Sequence, residues 1–295
     1  MNGTEPLAER FQEHREHLLA VAYRLLGSLS GAEEAVQETW LGLDRDEGER
    51  SEDLRAGLTT AVGRICLDRL RSRTSAPEAS QGDAFVPDPV IGPLSWTDPE
   101  QEAAHADAVG LALLVALEDL EPAERLAFVL HDMFAVPFAA VAPILGRTPA
   151  ATARLAGRAR SRVRGAAPAT EPDLGRQRAI LEEFLAASKA GDLAALIAVL
   201  HPDVVLRADS GVPTGAAASR VVRGAEAVAE QALLFPEFAH SARLARVNGG
   251  VGVVNVPEGR PLSVVGVTVT EDRIAALHVL ADPDRLARLR LPGTG

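Results

Sequence analysis

The chain has 295 residues, a formal net charge of -11 and 47% hydrophobic residues. This length allows two or three domains with sizeable cores, and the longest apolar runs are far shorter than the roughly 20 residues that cross a membrane. A single cysteine, Cys66, excludes an internal disulfide, and the seven histidines show no zinc-binding spacing. We therefore expect a globular cytoplasmic protein that uses no cofactor and no metal.

The first 73 residues show helical spacing of apolar side chains. Gly27 ends the first predicted helix, and a capping-box pattern from Ser30 to Glu33 opens a second helix that reaches about Leu43. A third helix is predicted over residues 51–73. Residues 1–73 are therefore predicted to form one all-α module.

A second all-α module is predicted over residues 100–165, after a proline-rich linker at 74–99. Its apolar stretch VPFAAVAPILG ends at Gly146, and Thr148 and Pro149 then supply the N-cap and first residue of another helix. Helix, glycine turn and capped helix together indicate a helix-turn-helix.

Positive charge is concentrated at the end of this module, although the whole chain is acidic. Residues 146–165 contain six arginines and no carboxylate. The second helix of a helix-turn-helix enters the major groove of DNA, so we predict that this segment binds DNA. The alternative is a solvated arginine face in a chain whose basic residues are nearly all arginine. The predicted DNA-binding residues here are Arg147, Thr148, Thr152, Arg154, Arg158, Arg160 and Arg162.

After a second linker at 166–173, residues 174–295 are predicted to form an α+β domain, with two short helices followed by β-rich runs. His201, Asp203, Asp209 and His278 are its candidates for acid-base chemistry. A turn at His201 and a strand histidine at His278 are the simpler interpretations, so no catalytic residue is predicted.

Four stretches, taken in chain order, resemble the motifs of extracytoplasmic-function sigma factors, in the sigma-J-like subgroup with a C-terminal SnoaL-like domain. They are HLLAVAYRLLGSLSGAEEAVQETWL, LTTAVGRICLDRLRSR, LEDLEPAERLAFVLHDMFAVPFAAVAPILG and RTPAATARLAGRARSRVR. The resemblance implies that residues 1–73 bind core RNA polymerase and the promoter -10 element, and that residues 100–165 read the -35 element. It also implies that residues 174–295 have the SnoaL-like cone fold.

The resemblance also implies roles for individual residues. Those of the polymerase-binding surface are Glu33, Glu34, Gln37, Glu38 and Trp40, and those of the third helix that face promoter DNA are Arg64, Arg69, Arg71 and Arg73. An ordinary charged helix face around a core tryptophan explains the first set equally well. The C-terminal motif DPDRL supplies three predicted regulatory residues, Asp282, Asp284 and Arg285. The carboxylates of the motif can engage arginines of the upstream modules.

The expected function is therefore that of a sigma factor whose C-terminal domain acts in place of a separate anti-sigma factor, with an unknown small ligand as a further partner. Three positions depart from the family pattern: Gly42, Gly57 and Ala153 stand where arginine, tryptophan and arginine are often found. Gly57 and Ala153 keep an alternative open, a ligand-responsive helix-turn-helix regulator that acts without polymerase.

Overall fold

The computed structural model of the protein describes residues 4–43, 53–75, 84–94, 109–166, 173–212 and 218–289. The chain divides into two compact units. The first contains residues 1–80 and 116–165, and the second contains residues 81–115 and 166–295. The segment between the two predicted helical modules therefore belongs mainly to the unit of the C-terminal domain.

The first unit is helical. Its elements are α1 (Thr4–Leu26), α2 (Leu29–Leu41), α3 (Leu54–Ser75), the end of α4 (Leu111–Glu118), α5 (Pro122–Phe128), a π-helical turn (Val129–Met133), α6 (Phe138–Leu145) and α7 (Pro149–Ala166). The predicted start of α2 was wrong by two residues. The N-cap is Ser28, whose Oγ accepts a hydrogen bond from the Gly31 amide at 3.2 Å, so the helix begins at Leu29.

The turn between α6 and α7 lies where the sequence predicts it. Gly146 adopts a left-handed conformation with φ 61°, and the Arg147 amide donates to the Ala142 carbonyl at 3.0 Å, which closes the end of α6. Thr148 caps the next helix by accepting a hydrogen bond from the Ala151 amide at 3.2 Å. Local backbone chemistry therefore fixes the angle at which α7 leaves α6.

Helices from the two predicted modules share one core in this unit. A Cβ added to Gly63 of α3 would lie 3.1 Å from Leu130 Cδ1 and 3.6 Å from Leu126 Cδ1, so the glycine permits a close approach of α3 to α5 and the turn after it. Cys66, three residues after Gly63 on α3, is also buried, and burial raises the pKa of its thiol to about 12.

The second unit is an α/β domain with a mixed sheet. Its helices are α8 (Leu174–Ala190), α9 (Leu193–Val199), α10 (Ala225–Leu233), α11 (Pro236–Ser241) and α12 (Pro283–Leu286). Its strands are β1 (Ile91–Gly92), β2 (Leu200–Asp209), β3 (Arg220–Arg223), β4 (Ala242–Val247), β5 (Gly250–Asn255), β6 (Ser263–Thr270) and β7 (Arg273–Leu280), in the spatial order β1-β4-β5-β6-β7-β2-β3. The pair β2–β7 is parallel and the other pairs are antiparallel.

The two faces of this sheet have different partners. On one face, buried apolar residues of α8 and α9 such as Ile180 and Leu196 form a core with sheet residues such as Leu277. On the other face, Leu111 lies so close to Gly266 that a Cβ there would collide with it. At the edge of the sheet, β1 pairs with β4. Residues 84–94 are therefore a structural part of this domain. Within the described ranges, no helix has the length and apolarity needed to span a bilayer.

Candidate polymerase, nucleic-acid and regulatory sites

The predicted polymerase-binding residues lie on the outer face of α2. Glu33, Glu34, Gln37 and Glu38 are exposed because Ala32, Ala35, Val36 and Thr39 bury the opposite face. Trp40 is half-buried and packs on Phe11, with ring centroids 4.9 Å apart. Its neighbour Leu41 is 76% exposed, and the sequence did not single it out because an apolar residue at a helix end is compatible with either face.

Arg69, predicted to face DNA, is held by the acidic surface of α2. Its Nη1 donates to Glu34 Oε2 at 2.8 Å and its Nη2 donates to Glu38 Oε2 at 3.0 Å. All three side chains are partly exposed, and ion pairs of this kind contribute little to stability. Each partner can therefore exchange this contact for another at small cost.

The other predicted arginines of α3 fall into two groups. Arg64 and Arg71 are exposed and lie two helical turns apart on one face, where Arg71 is only 3.9 Å from Asp68. Arg73 turns inward: its Nη1 donates to the Leu26 carbonyl at 3.2 Å and its Nη2 lies 3.5 Å from Glu118 Oε2. In this conformation, Arg64 and Arg71 are the better exposed pair for phosphate contacts.

The arginines of α7 are arranged by a carboxylate that the sequence analysis missed. Glu124 of α5 is 4% exposed, and it accepts hydrogen bonds from Arg158 Nε at 2.7 Å and Arg162 Nη1 at 3.0 Å. Both arginine side chains remain more than half exposed, so Glu124 orients them without removing them from solvent. Arg160 is held in the same way by Asp132, with Nε donating to Oδ1 at 2.8 Å.

The start of α7 presents the remaining predicted DNA-binding residues. Arg147 and Arg154 are exposed and form no ion pair with any described residue. Thr148 serves as the N-cap. Thr152 is fully buried and its hydroxyl donates to the Thr148 carbonyl at 3.1 Å, so its position gives no support to a DNA contact, which remains a prediction for this residue.

The C-terminal motif forms a buried ionic cluster with the segment that precedes β1. Arg285 Nε donates to Asp88 Oδ1 at 2.7 Å, Nη1 donates to Asp209 Oδ2 at 2.7 Å, and Nη2 donates to the Val86 carbonyl at 2.6 Å. The Val86 amide completes the ring by donating to Asp209 Oδ2 at 3.1 Å. We call these four residues the Arg285 clasp.

In the C-terminal motif, the group that contacts an upstream residue is the arginine and not a carboxylate. We expected its carboxylates to engage upstream arginines. In the structure, Asp282 caps α12 by accepting from the amides of Asp284 and Arg285 at 2.9 and 3.2 Å, and Asp284 is exposed. The arginine of the motif reaches an upstream carboxylate instead, and its guanidinium also lies 4.9 Å from the centre of the Phe85 ring.

The acid-base candidates of the second unit do not converge. His201 Nδ1 accepts a hydrogen bond from the Asp203 amide at 3.2 Å, Asp209 belongs to the Arg285 clasp, and neither ring nitrogen of the buried His278 has a hydrogen-bond partner among the described residues. Burial, reinforced by the charge of Arg207, lowers the pKa of His278 to about 4. The described residues contain no group of three His, Cys, Asp or Glu side chains arranged for a metal.

His278 should make the second unit sensitive to acid. The pKa of His278 is about 4 in the folded chain and 6.5 in the unfolded chain. Between these two pH values the unfolded chain binds a proton at His278 and the folded chain does not. Stability is therefore lost as the pH falls from about 6.5 to 4, by about 3 kcal/mol in total. Urea unfolding followed by the NMR signals of β6 and β7 should show that His278→Leu removes this part of the loss. The exposed-site change His240→Gln should leave it intact, and equal pH profiles for the wild type and His278→Leu would contradict the assignment.

Comparison with known proteins supports the division into helical and α/β parts. Residues 10–76 match the family Sigma-70 region 2. The chain is 39% identical to the ECF RNA polymerase sigma factor SigJ of Mycobacterium tuberculosis over 292 residues, which cover 93% of this chain and 91% of that protein. It is 31% identical over 300 residues to the probable ECF RNA polymerase sigma factor SigI of the same species, with 98% of both chains covered.

A solved structure extends the similarity to the fold. The crystal structure of the M. tuberculosis extracytoplasmic function sigma factor SigJ is 36% identical in sequence and superposes with a TM-score of 0.74. The match covers 96% of this chain and all of that one. The helical part and the mixed-sheet domain thus occur together in both proteins.

Proposed function

The chain belongs to the extracytoplasmic-function RNA polymerase sigma factors, and from this premise we propose that its C-terminal domain regulates promoter use by holding the segment between its two promoter-reading modules. The observation that carries this proposal is the Arg285 clasp. It ties Val86 and Asp88, which follow the first module in sequence, to Asp209 and Arg285 of the C-terminal domain. The alternative of a regulator that acts without polymerase is not favoured by the relatives.

The compact packing of the first unit is proposed to prevent it from binding both promoter elements. The -35 and -10 elements are about 25 base pairs apart, which is about 85 Å along the helix axis. A compact unit of this size has a radius of gyration on the order of 14 Å and cannot reach both elements at once. We propose that the packed unit is a closed state, and that promoter binding requires the helices around α3 to separate from α5 to α7.

The surface of α2 is the proposed contact with core polymerase. Its exposed carboxylates and Gln37 lie beside Leu41, so an apolar anchor is surrounded by polar groups, a typical composition of a protein interface. Arg64 and Arg71 on α3 are proposed to contact the -10 region. Arg147 and Arg154, with the Glu124-oriented arginines of α7, are proposed to contact the -35 element.

The C-terminal domain is proposed to have the SnoaL-like cone fold and no catalytic role. Its acid-base candidates do not converge on one site, and Asp209 is already engaged by Arg285. We propose that the protein acts in the cytoplasm, where its polymerase and promoter partners are found. The predicted boundaries at 73, 99, 165 and 173 are retained as proposed module limits. Residue 99 and residues 167–172 of the second linker lie outside the described residues.

The polymerase contact can be tested by co-elution of the full-length chain with core RNA polymerase. We expect the wild type to co-elute, and Glu33→Lys combined with Gln37→Lys to weaken binding at least tenfold, because the changes place two cations at the centre of the α2 surface. Glu33 and Gln37 are exposed, and their side chains form no hydrogen bond or ion pair with a described residue, so their replacement should not disturb the fold.

Glu13→Lys on the exposed side of α1 is the matched control, and it should bind as the wild type does. Failure of the wild type to co-elute would overturn the proposal that this chain itself binds polymerase. Equal binding of all three proteins would show that the chain binds polymerase through a surface other than α2.

A further inference from the structure

A cavity of about 520 Å³ lies inside the second unit, between the sheet and its helices. A volume of this size is typical of small-molecule sites. The strand register places one row of residues across its floor, each paired with the next: Arg220, Ala208, Val279, Val265 and Val253. Phe184, Phe235 and Phe238 also line it. The walls are therefore apolar, and the row ends in a cation at the edge strand β3.

The cavity is polar at the side formed by β3 and α10. Arg220 lies 5.8 Å from the centre of the Phe235 ring and has no carboxylate partner among the described residues. Gln231 of α10 lines the same cavity, and its buried Nε2 has no hydrogen-bond partner among the described residues. A buried donor without an acceptor is costly, so this side presents two donors that lack an acceptor.

The opposite side of the cavity is polar but already satisfied. Asn255 Nδ2 donates to Ser263 Oγ at 2.8 Å, and Asn255 Oδ1 accepts from Ser241 Oγ at 3.4 Å. Among the described lining residues there is no Asp or Glu. The cavity thus offers one cation and one unsatisfied donor at one side, and apolar surface over most of the rest.

We propose that this cavity binds an apolar molecule that carries a single carboxylate. The carboxylate would accept hydrogen bonds from Arg220 and Gln231, an arrangement in which charge assistance strengthens both bonds. The apolar body would lie on the valine row and against the phenylalanine rings. Phe235 and Leu262 line the cavity and are partly exposed, which gives an apolar ligand a compatible entrance. Binding of this ligand to the second unit does not require that the chain bind polymerase.

Isothermal titration of the full-length protein tests the proposal with three probes of equal chain length: decanoate, decylamine and 1-decanol. Decanoate should bind at one site per chain, at least tenfold more tightly than decylamine, because the cavity holds a cation and no described carboxylate. Arg220→Gln should weaken decanoate binding at least tenfold and leave 1-decanol binding unchanged. Gln231→Leu should weaken decanoate binding by a smaller factor.

Two further variants separate a specific site from surface adsorption. Arg223→Gln removes an exposed arginine three residues along the same strand and should not change decanoate binding. Ala208→Phe fills the floor of the cavity and should abolish binding of all three probes. The absence of decanoate binding to the wild type, equal binding of decanoate and decylamine, or unchanged decanoate binding by Arg220→Gln would each overturn the proposal.

Discussion

Arg285→Met should release residues 84–92 from the second unit, and the amide exchange of this segment should accelerate by about 100-fold or more. Methionine keeps much of the length of arginine and removes its charge. Asp88 and Asp209, both largely buried, would then face each other without the guanidinium between them. Breaking one partner out of a buried ion pair costs about 3–5 kcal/mol, and each 1.4 kcal/mol is a factor of about ten in an equilibrium.

Hydrogen exchange can follow this release at defined amides. Val86 donates to Asp209 Oδ2 at 3.1 Å and Val90 donates to Asn248 Oδ1 at 3.1 Å, so both amides should be protected in the wild type. In Arg285→Met, we expect Val86 to lose most protection, while amides of β5 and β6 retain theirs. Run-off transcription with core polymerase should rise in the same variant, because the freed segment lets the two modules separate more easily.

Arg288→Met is the control for these effects. It makes the same substitution three residues later, at an exposed position, and should leave both exchange and transcription unchanged. Unchanged exchange at Val86 in Arg285→Met would contradict the clasp. Faster exchange without a change in transcription would confirm the clasp as a structural contact and reject its regulatory role.

The features predictable from sequence were those set by neighbouring residues. Gly146, Thr148 and Pro149 specify the turn before α7 through backbone conformation and capping, and the structure has this turn at the predicted residues. The start of α2 was missed because two serines can cap it. The Glu three residues after Ser30 favoured that position, whereas the hydroxyl of Ser28 accepts from the Gly31 amide.

Contacts between distant parts of the chain could not be predicted. Asp88 and Arg285 are 197 residues apart, and no local pattern indicates that they meet. The role of Glu124 could not be predicted from the sequence either. A carboxylate in an amphipathic helix is normally solvent-exposed, and only the approach of α7 explains the burial of Glu124. Composition indicated a basic surface on α7, but the carboxylates that orient its arginines depend on the tertiary packing.

Glu118→Gln should weaken the closed state of the first unit, because Glu118 joins its two halves. Its Oε1 accepts from Arg125 Nη1 at 2.7 Å and its Oε2 lies 3.5 Å from Arg73 Nη2. Arg125 is 3% exposed and also donates to the Leu25 carbonyl at the end of α1, at 3.0 Å. Glutamine preserves the shape of the side chain but leaves the Arg125 charge buried without a carboxylate, which should destabilise the unit by about 3–5 kcal/mol.

Spin labels can measure the resulting separation directly. Cys66 is buried and its thiol pKa is about 12, so it should stay unreactive while cysteines introduced at exposed Glu13 and Arg154 are labelled. Double electron–electron resonance should give one short distance between α1 and α7 in the wild type. Glu118→Gln should add a population at longer distances, and core polymerase should produce the longer distances in both proteins.

Glu121→Gln, the same change at an exposed position at the start of α5, should retain the single short distance. An unchanged distribution in Glu118→Gln would mean that the apolar packing around Gly63 holds the unit closed without the ion pairs. If polymerase bound the wild type without lengthening the distance, the closed unit would itself be the polymerase-bound form, and the reach of about 85 Å between promoter elements would require a different explanation.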